Sequence, residues 1–394
     1  MCYRNWCLYL FCLMNKTLIE KIKSSFKAEF KTSPILVFAP GRINLIGEHT
    51  DYNDGFVFPA AIDRGIVTAV QKSNSKHCTM LAVDKNEKNT FLINDIQPIE
   101  NGGWRNYILG VISEIQKKGI PLEPIDIAFG GDIPVGAGMS SSAALENSLV
   151  YCLNELFNLG LSKLEMILIS QNAEHNYVGV KCGIMDQYTS MFGQENSALL
   201  LDCRSVESIP YQIDFSEYQL LLINTNVKHN LSDSAYNERR SVCEKIAKLL
   251  EIPSLRDASE NDLSKIKDII SVDDYQKGLY VIQENERVLK ASKAIQNNDL
   301  RRLGKLLYDS HSGLQKQYKV SCDELDFLVE KAKGYPDVLG ARMMGGGFGG
   351  CTINIILKNA VTKFQKEVSE AYKTRFNNDC SIYAVSLSSG AQII

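Results

Sequence analysis

Pro134-Val135-Gly136-Ala137-Gly138-Met139-Ser140-Ser141-Ser142-Ala143 is the stretch from which the fold is read. Ile125 to Phe129 alternates as a strand before it, and Ala144, Leu145, Leu149, Leu153 and Leu156 follow at helical spacing. A glycine-rich turn between a strand and a helix lets backbone N–H groups converge on an anion. The helix start adds its own unpaired N–H groups, and serine hydroxyls can donate to phosphate or ligate Mg²⁺. No lysine follows the glycines, so this is not the GxxxxGK[ST] loop, and it is not GxGxxG. From the residues alone, a phosphate cradle and a plain turn with a serine N-cap both remain open.

Around it, short strands and helices interleave, which predicts a mixed α+β class. The expected strands are Ile35 to Phe38, ending at Pro40-Gly41, and Phe56 to Val70, broken at Asp63-Arg64-Gly65. Others are Leu199 to Asp202, Leu220 to Asn224, Thr352 to Leu357 and Ser381 to Leu387. Helices are expected at 104–115, from Ser162-x-x-Glu165 to about Tyr177, and at 234–250, 276–295, 300–315 and 323–334. The polar segment Cys203 to Ser216, with Pro210, reads as a boundary between lobes 15–205 and 206–394.

The 394 residues suit two or three domains. With 43 Lys+Arg against 46 Asp+Glu, the formal charge of −3 argues against a general nucleic-acid binder. At 45% hydrophobic and 23% charged, the composition is that of a folded globular chain. No apolar run is long enough to span a bilayer. The eleven cysteines form no CxxC pair and no zinc spacing, so reduced, buried thiols in a cytoplasmic protein are expected. Residues 1–14 begin with a short apolar stretch that lacks a small-residue cleavage site. Thr17-x-x-Glu20 reads as a capping box, so the fold is expected to begin near Asn15, with Met14 as the initiator.

Two further stretches stand out. Gly345-Gly346-Gly347-Phe348-Gly349-Gly350 has packed-looking flanks, which favours a rigid cradle over a linker. Ala39 to Gly55 reads Ala-Pro-Gly-Arg-Ile-Asn-Leu-Ile-Gly-Glu-His-Thr-Asp-Tyr-Asn-Asp-Gly. Clustered carboxylates and an imidazole suit a polyhydroxylated ligand, although a charged surface loop has the same composition.

Pro40 to Gly55 resembles the signature of the galactokinase family. Gly136 to Ser142 is similar to the phosphate motif shared by galactose, homoserine, mevalonate and phosphomevalonate kinases, and Met344 to Cys351 resembles their third motif. Cys182 to Gln187, Trp104 to Tyr107, Glu284 to Val288 and Tyr318 to Asp326 extend the likeness in family order from about Leu18 onward. The resemblance implies a two-lobed small-molecule kinase fold with a left-handed β-α-β nucleotide unit. It implies transfer of the ATP γ-phosphate to the anomeric hydroxyl of galactose, with N-acetylgalactosamine, arabinose or a non-catalytic galactose/ATP sensor as rivals.

By that resemblance Asp186 is the general base and Arg42 its partner. Glu48, His49, Thr50, Asp51, Gly183 and Tyr236 match the sugar contacts. Gly136, Ala137, Gly138, Met139, Ser140, Ser141 and Ser142 hold the triphosphate, Trp104 lies near the adenine, and Ser142 and Glu174 hold Mg²⁺. A monomer is expected. Three positions depart from the commoner family pattern: Met344 for Thr, Gly313 for Ser and Tyr280 for His.

Overall fold

Why the chain folds around the Pro40 segment is clearest from the first long strand. The structure, a computed structural model, describes the backbone of residues 2–134, 136–227 and 232–394, with side chains from 16 onward except at 232–234. Helix α1 (Cys2–Phe30) precedes strand β1 (Ile35–Asn44). The capping-box reading at Thr17 does not hold, because Thr17 and Glu20 lie inside α1. The periodicity does hold: Leu18, Ile22 and Phe26 are buried against Val67, Ala69 and Ala128. The burial of each such side chain stabilises by about 1.5–3 kcal/mol.

β1 does not stop at Pro40-Gly41. It runs to Asn44, and the register shifts between Pro40 and Arg42. The turn signal is thus absorbed as a bulge. A Cβ at Gly41 would lie 2.6 Å from the Met139 carbonyl, so glycine here lets the serine loop dock on the strand. Strands β2 (Phe56–Val57), β3 (Pro59–Lys72), β4 (Cys78–Ala82) and β5 (Glu87–Phe91) follow. β3 is continuous through Asp63-Arg64-Gly65 and pairs from Ile66 onward with β6 (Ile125–Gly131): Gly65 pairs with Pro40 on β1, and the Asp63 N–H donates to the Ser386 carbonyl.

Next come α2 (Trp104–Lys117), α3 (Ser141–Phe157), α4 (Lys163–Ala173) and α5 (Met185–Phe192). The Ser162/Glu165 capping box is present and opens α4. The helix does not run straight to Tyr177: a π-turn, Glu174–Val178, takes over after Ala173. Strands β7 (Ser197–Asp202), β8 (Glu207–Gln212) and β9 (Tyr218–Asn224) come next. β8 occupies much of the stretch expected to be an irregular boundary. Pro210 is tolerated there because β8 is the edge of its sheet.

The remainder is α6 (Ser232–Leu249), α7 (Glu260–Lys265), α8 (Val272–Gln296), α9 (Leu300–Gly313), α10 (Asp323–Lys333), β10 (Val338–Met343), β11 (Cys351–Leu357), α11 (Val361–Phe376), β12 (Ser381–Val385) and β13 (Gln392–Ile393). A second π-turn, Leu314–Tyr318, follows α9.

Among the described residues the strands form three sheets, in the orders β13-β1-β3-β6-β4-β5, β10-β11-β9-β12 and β2-β7-β8. The class is α+β. The chain's last strand returns to pair with β1, and Leu387 bridges to Ile62 on β3. The largest apolar cluster joins the first sheet, α2 to α5, and residues of α8, α9 and β11. Cys78, Cys152, Cys203, Cys243 and Cys351 are free and buried, as reduced thiols in a core would be. Among the described residues no helix is long and apolar enough to cross a membrane.

Candidate active site

The β1 bulge aims Arg42 at the first turn of α5. Arg42 Nε donates to Asp186 Oδ1 at 2.8 Å and Nη2 to Oδ2 at 2.9 Å, a two-point ion pair. Nη1 donates to the Gly138 carbonyl at 2.5 Å, which ties the pair to the serine loop. Burial opposes the charge on Arg42, but Asp186, Glu48 and Asp51 outweigh it and hold the guanidinium protonated. Ser140 stands at the N-cap position of α3, but its side chain does not cap the helix. Its backbone is left-handed (φ 58°), it caps nothing, and its hydroxyl donates to Asp186 Oδ2 at 2.5 Å. The N–H groups at the start of α3 therefore carry no side-chain cap and are available to an anion.

The signature loop is held by partners far along the chain. Glu48 Oε1 accepts from Arg342 Nη2 at 2.9 Å and from the Gly345 N–H at 2.8 Å. Arg342 is fully buried and also donates to the carbonyls of Asn44, Leu45 and Met343. Glu284 accepts from the Gly47 N–H at 2.9 Å, Ser310 at 2.7 Å and Arg287 at 2.6 Å. Asn285 accepts from the Phe56 N–H. The Glu284-Asn285 motif is thus a clamp on the loop. Thr50 is a strut: fully buried, its hydroxyl lies 2.8 Å from the Gly47 carbonyl and 2.7 Å from that of Phe56, and it does not line the cavity.

A cavity of about 240 Å³ lies between these elements. Arg42, Glu48, His49, Asp51, Glu174 and Asp186 line it, with Cys182, Tyr236 and the backbone of Gly345 to Gly347. This is below the roughly 300–1,000 Å³ of drug-sized sites and suits one small solute. Burial, with Asp186 second and Glu48 also contributing, pushes the Asp51 carboxyl up to about 7. Gly183 is placed tightly, since a Cβ there would lie 2.1 Å from Asp51 Oδ2. Tyr236 packs tilted against His49 and edge-on against Tyr52, both at 5.3 Å between ring centroids.

The two glycine loops meet backbone to backbone. A Cβ on Gly345 would lie 3.6 Å from the Gly138 Cα, and one on Gly350 would lie 3.5 Å from the Gly136 carbonyl. Ala137 and Met139 are buried beneath, while Ser141 is exposed and Ser142 half-buried on the first turn of α3. Val135 lies outside the described residues. Trp104 does not line the cavity. It packs on Phe129 at 5.2 Å and donates to Glu87 at 2.7 Å.

Sequence reading overlooked Arg342 and Glu146. A lone arginine inside the apolar run Ala341 to Met344 was the available signal, because a charge on a buried strand requires a partner. Glu146 lies one turn after Ser142, fully buried, and receives Gln187 Nε2 at 3.4 Å. Burial first, then Glu174, pushes its carboxyl well up. Two of the departures from the family pattern touch each other: a Cβ on Gly313 would lie 2.8 Å from the Tyr280 ring. The larger ring at 280 occupies the space a side chain at 313 would take.

The galactokinase galactose-binding signature matches residues 24–72. The GHMP kinase N-terminal domain matches 106–194 and the GHMP kinase C-terminal domain 291–374. A galactokinase of Thermotoga maritima is 40% identical over 358 residues, 91% of this chain and 99% of that one. The chain belongs to the galactokinase family. A galactokinase of Clostridium acetobutylicum is 39% identical over 385 residues, 95% of this chain and 98% of that one. The crystal structure of Lactococcus lactis galactokinase complexed with galactose superposes with a TM-score of 0.91 at 32% identity, covering 95% of this chain and all of that one. Methanococcus jannaschii mevalonate kinase, at 18% identity and a TM-score of 0.67, shares the fold.

Proposed function

We propose that this chain transfers the γ-phosphoryl group of ATP to the anomeric hydroxyl of α-D-galactose, giving galactose 1-phosphate and ADP. Family membership makes it an ATP-dependent sugar kinase. The observation that carries the finer reading is the Arg42–Asp186 pair at the floor of a hexose-sized cavity, beside the serine loop.

Phosphoryl transfer asks chiefly for positioning and for charge stabilisation. Asp186 takes the proton of the anomeric hydroxyl as its oxygen attacks phosphorus, and the ADP oxygen leaves with the bond's electron pair. Arg42 orients the Asp186 carboxylate through two hydrogen bonds and offsets charge developing on oxygen. Glu48, with one oxygen committed to Arg342, offers the other to a ring hydroxyl; Asp51 and Tyr236 supply further contacts. Gly183 leaves Asp51 the space it occupies. Gly136 to Ser142 hold the triphosphate through backbone N–H groups and hydroxyls. Trp104 is assigned to the adenine side.

The donors suit Mg²⁺. Glu174 faces the cavity with Asp186 and Asp51, so a cation there is electrostatically favoured, and Mg²⁺ needs only one or two protein oxygens besides phosphate and water. Ser142 and Glu174 would hold it, and when bound it neutralises phosphate charge. We assign residues 15–205 and 206–394 to two lobes, 1–14 to an extension outside the core, and the working form to a cytoplasmic monomer. ADP release with ATP·Mg²⁺ across galactose, N-acetylgalactosamine, arabinose, glucose, homoserine and mevalonate tests the reading. Turnover on galactose is expected to exceed the others; preference for another acceptor, or binding without turnover, overturns it.

A further inference from the structure

His49 is held as few exposed histidines are. It is buried, its backbone is left-handed (φ +64°), and its carbonyl accepts from Asn53 Nδ2 at 2.9 Å. A left-handed non-glycine residue costs about 1–2 kcal/mol, so its surroundings must fix it. Both ring nitrogens are committed to the protein: Nε2 lies 3.2 Å from the Gly346 carbonyl and Nδ1 lies 2.8 Å from the Tyr52 hydroxyl.

The partners settle the proton's place. A carbonyl only accepts, so Nε2 carries the hydrogen and Nδ1 presents its lone pair. The Tyr52 hydroxyl must then donate to Nδ1. Its oxygen lies 2.7 Å from the Tyr318 hydroxyl, which donates to it in turn. The Tyr318 oxygen lies 3.4 Å from Cys243 Sγ, whose S–H closes the chain. For a neutral ring each donor is fixed by the one before it. Burial pushes the imidazole down to about 3, and Arg239 and Arg342 oppose its protonation while Glu284 favours it, so the ring stays neutral.

The glycine loop is held at the His49 side and at the Tyr318 side. At one end His49 donates to Gly346. At the other, Val320, two residues beyond Tyr318, accepts the Phe348 N–H at 2.7 Å. Gly345 to Gly347 form a wall of the cavity, and Tyr236 packs tilted against the same imidazole.

We propose that Tyr52 and Tyr318 are positioning residues that lock His49 as its Nε2–H tautomer and so seat the glycine loop against the cavity. This rests on the reading of that cavity as the sugar site. It also gives the His49 ring a role other than direct donation to the ligand, since neither nitrogen is spare.

Nitrogen-15 NMR of the imidazoles in the full chain reads the tautomer without any sugar, with His49 assigned by its loss in His49→Gln. The expected result is a protonated Nε2 and a bare Nδ1 between about pH 5.5 and 8.5. A protonated Nδ1, a mixture of tautomers or an imidazolium in that range overturns the proposal. Tyr52→Phe, checked as folded by circular dichroism, is expected to raise the galactose KM about fivefold or more while the ATP KM stays within about twofold. Tyr52→Phe combined with Tyr318→Phe is expected to do little more than Tyr52→Phe alone, because one chain is cut twice. An unchanged galactose KM in folded Tyr52→Phe also overturns it. Absence of galactose turnover in the unaltered chain overturns the functional reading instead, and the tautomer spectrum still decides this one.

Discussion

With Asp51 as the proposed sugar contact, galactose binding is expected to depend on pH. Burial, Asp186 and Glu48 hold its carboxyl up at about 7, against 3.8 for an ordinary aspartate. A carboxylate that accepts bonds from sugar hydroxyls is stabilised in its ionised form, so binding lowers that value. At pH 5.5 only about one free molecule in thirty carries Asp51 ionised, so affinity there is about 30-fold weaker than its plateau above pH 8. Binding at pH 5.5 to 6 releases close to one proton per galactose, and almost none above about pH 8.5. Arg42 remains charged and His49 neutral across this window, so neither masks the effect.

Titration calorimetry in two buffers of different ionisation enthalpy measures both affinity and proton release. Asp51→Asn is expected to flatten the pH dependence. Its stability should move the other way. The folded value lies above the unfolded one, so the cost of ionising Asp51 is absent below about pH 4 and complete above about pH 7. Asp51→Asn should therefore raise Tm at pH 8 and leave it unchanged near pH 4. A galactose affinity independent of pH from 5.5 to 8.5, with no proton released, would refute the reasoning.

Gly183→Ala forces a Cβ onto Asp51, and should raise the galactose KM about tenfold or more with little change in the ATP KM, read by steady-state kinetics. Arg342→Met leaves Glu48 buried without its cation, and should lower unfolding stability by about 3–5 kcal/mol in urea titrations. Gly313→Ser drives a side chain into the Tyr280 ring and should destabilise by about 1–3 kcal/mol. Tyr280→His should recover most of that loss, and a double-mutant cycle in thermal melts measures the coupling.

Local chemistry was legible where it repeats on a short period or forms a contiguous motif. The capping box at Ser162, the burial face of Leu18, Ile22 and Phe26, and the helix after the serine loop are of this kind. The placements that needed distant partners were not. Pro40-Gly41 reads as a stop, yet it is a bulge because Met139, about a hundred residues on, docks there. The serine run left a cap and an anion cradle both open, and the Ser140 hydroxyl bonds Asp186 instead of capping the helix. The helix expected to run to about Tyr177 reads as continuous, but a π-turn from Glu174 to Val178 sets the Glu174 carboxylate at the cavity, and a second π-turn ends in Tyr318. Arg342 and the Glu284 clamp act on a loop nearly 300 and 240 residues away in sequence, a pairing no local pattern announces. Tyr280 and Gly313, separate oddities in sequence, meet as one exchange of volume.

On the proposed mechanism Asp186, held by Arg42, removes the anomeric proton at a galactose site. The most direct test sets Asp186→Ala beside the unaltered chain, with product position read by phosphorus NMR and galactose binding by calorimetry. Expected are galactose 1-phosphate from the unaltered chain, a loss of about 10³-fold or more in kcat for the variant, and galactose binding largely kept. A variant that turns over at a near-normal rate, or a product phosphorylated at another hydroxyl, would contradict it.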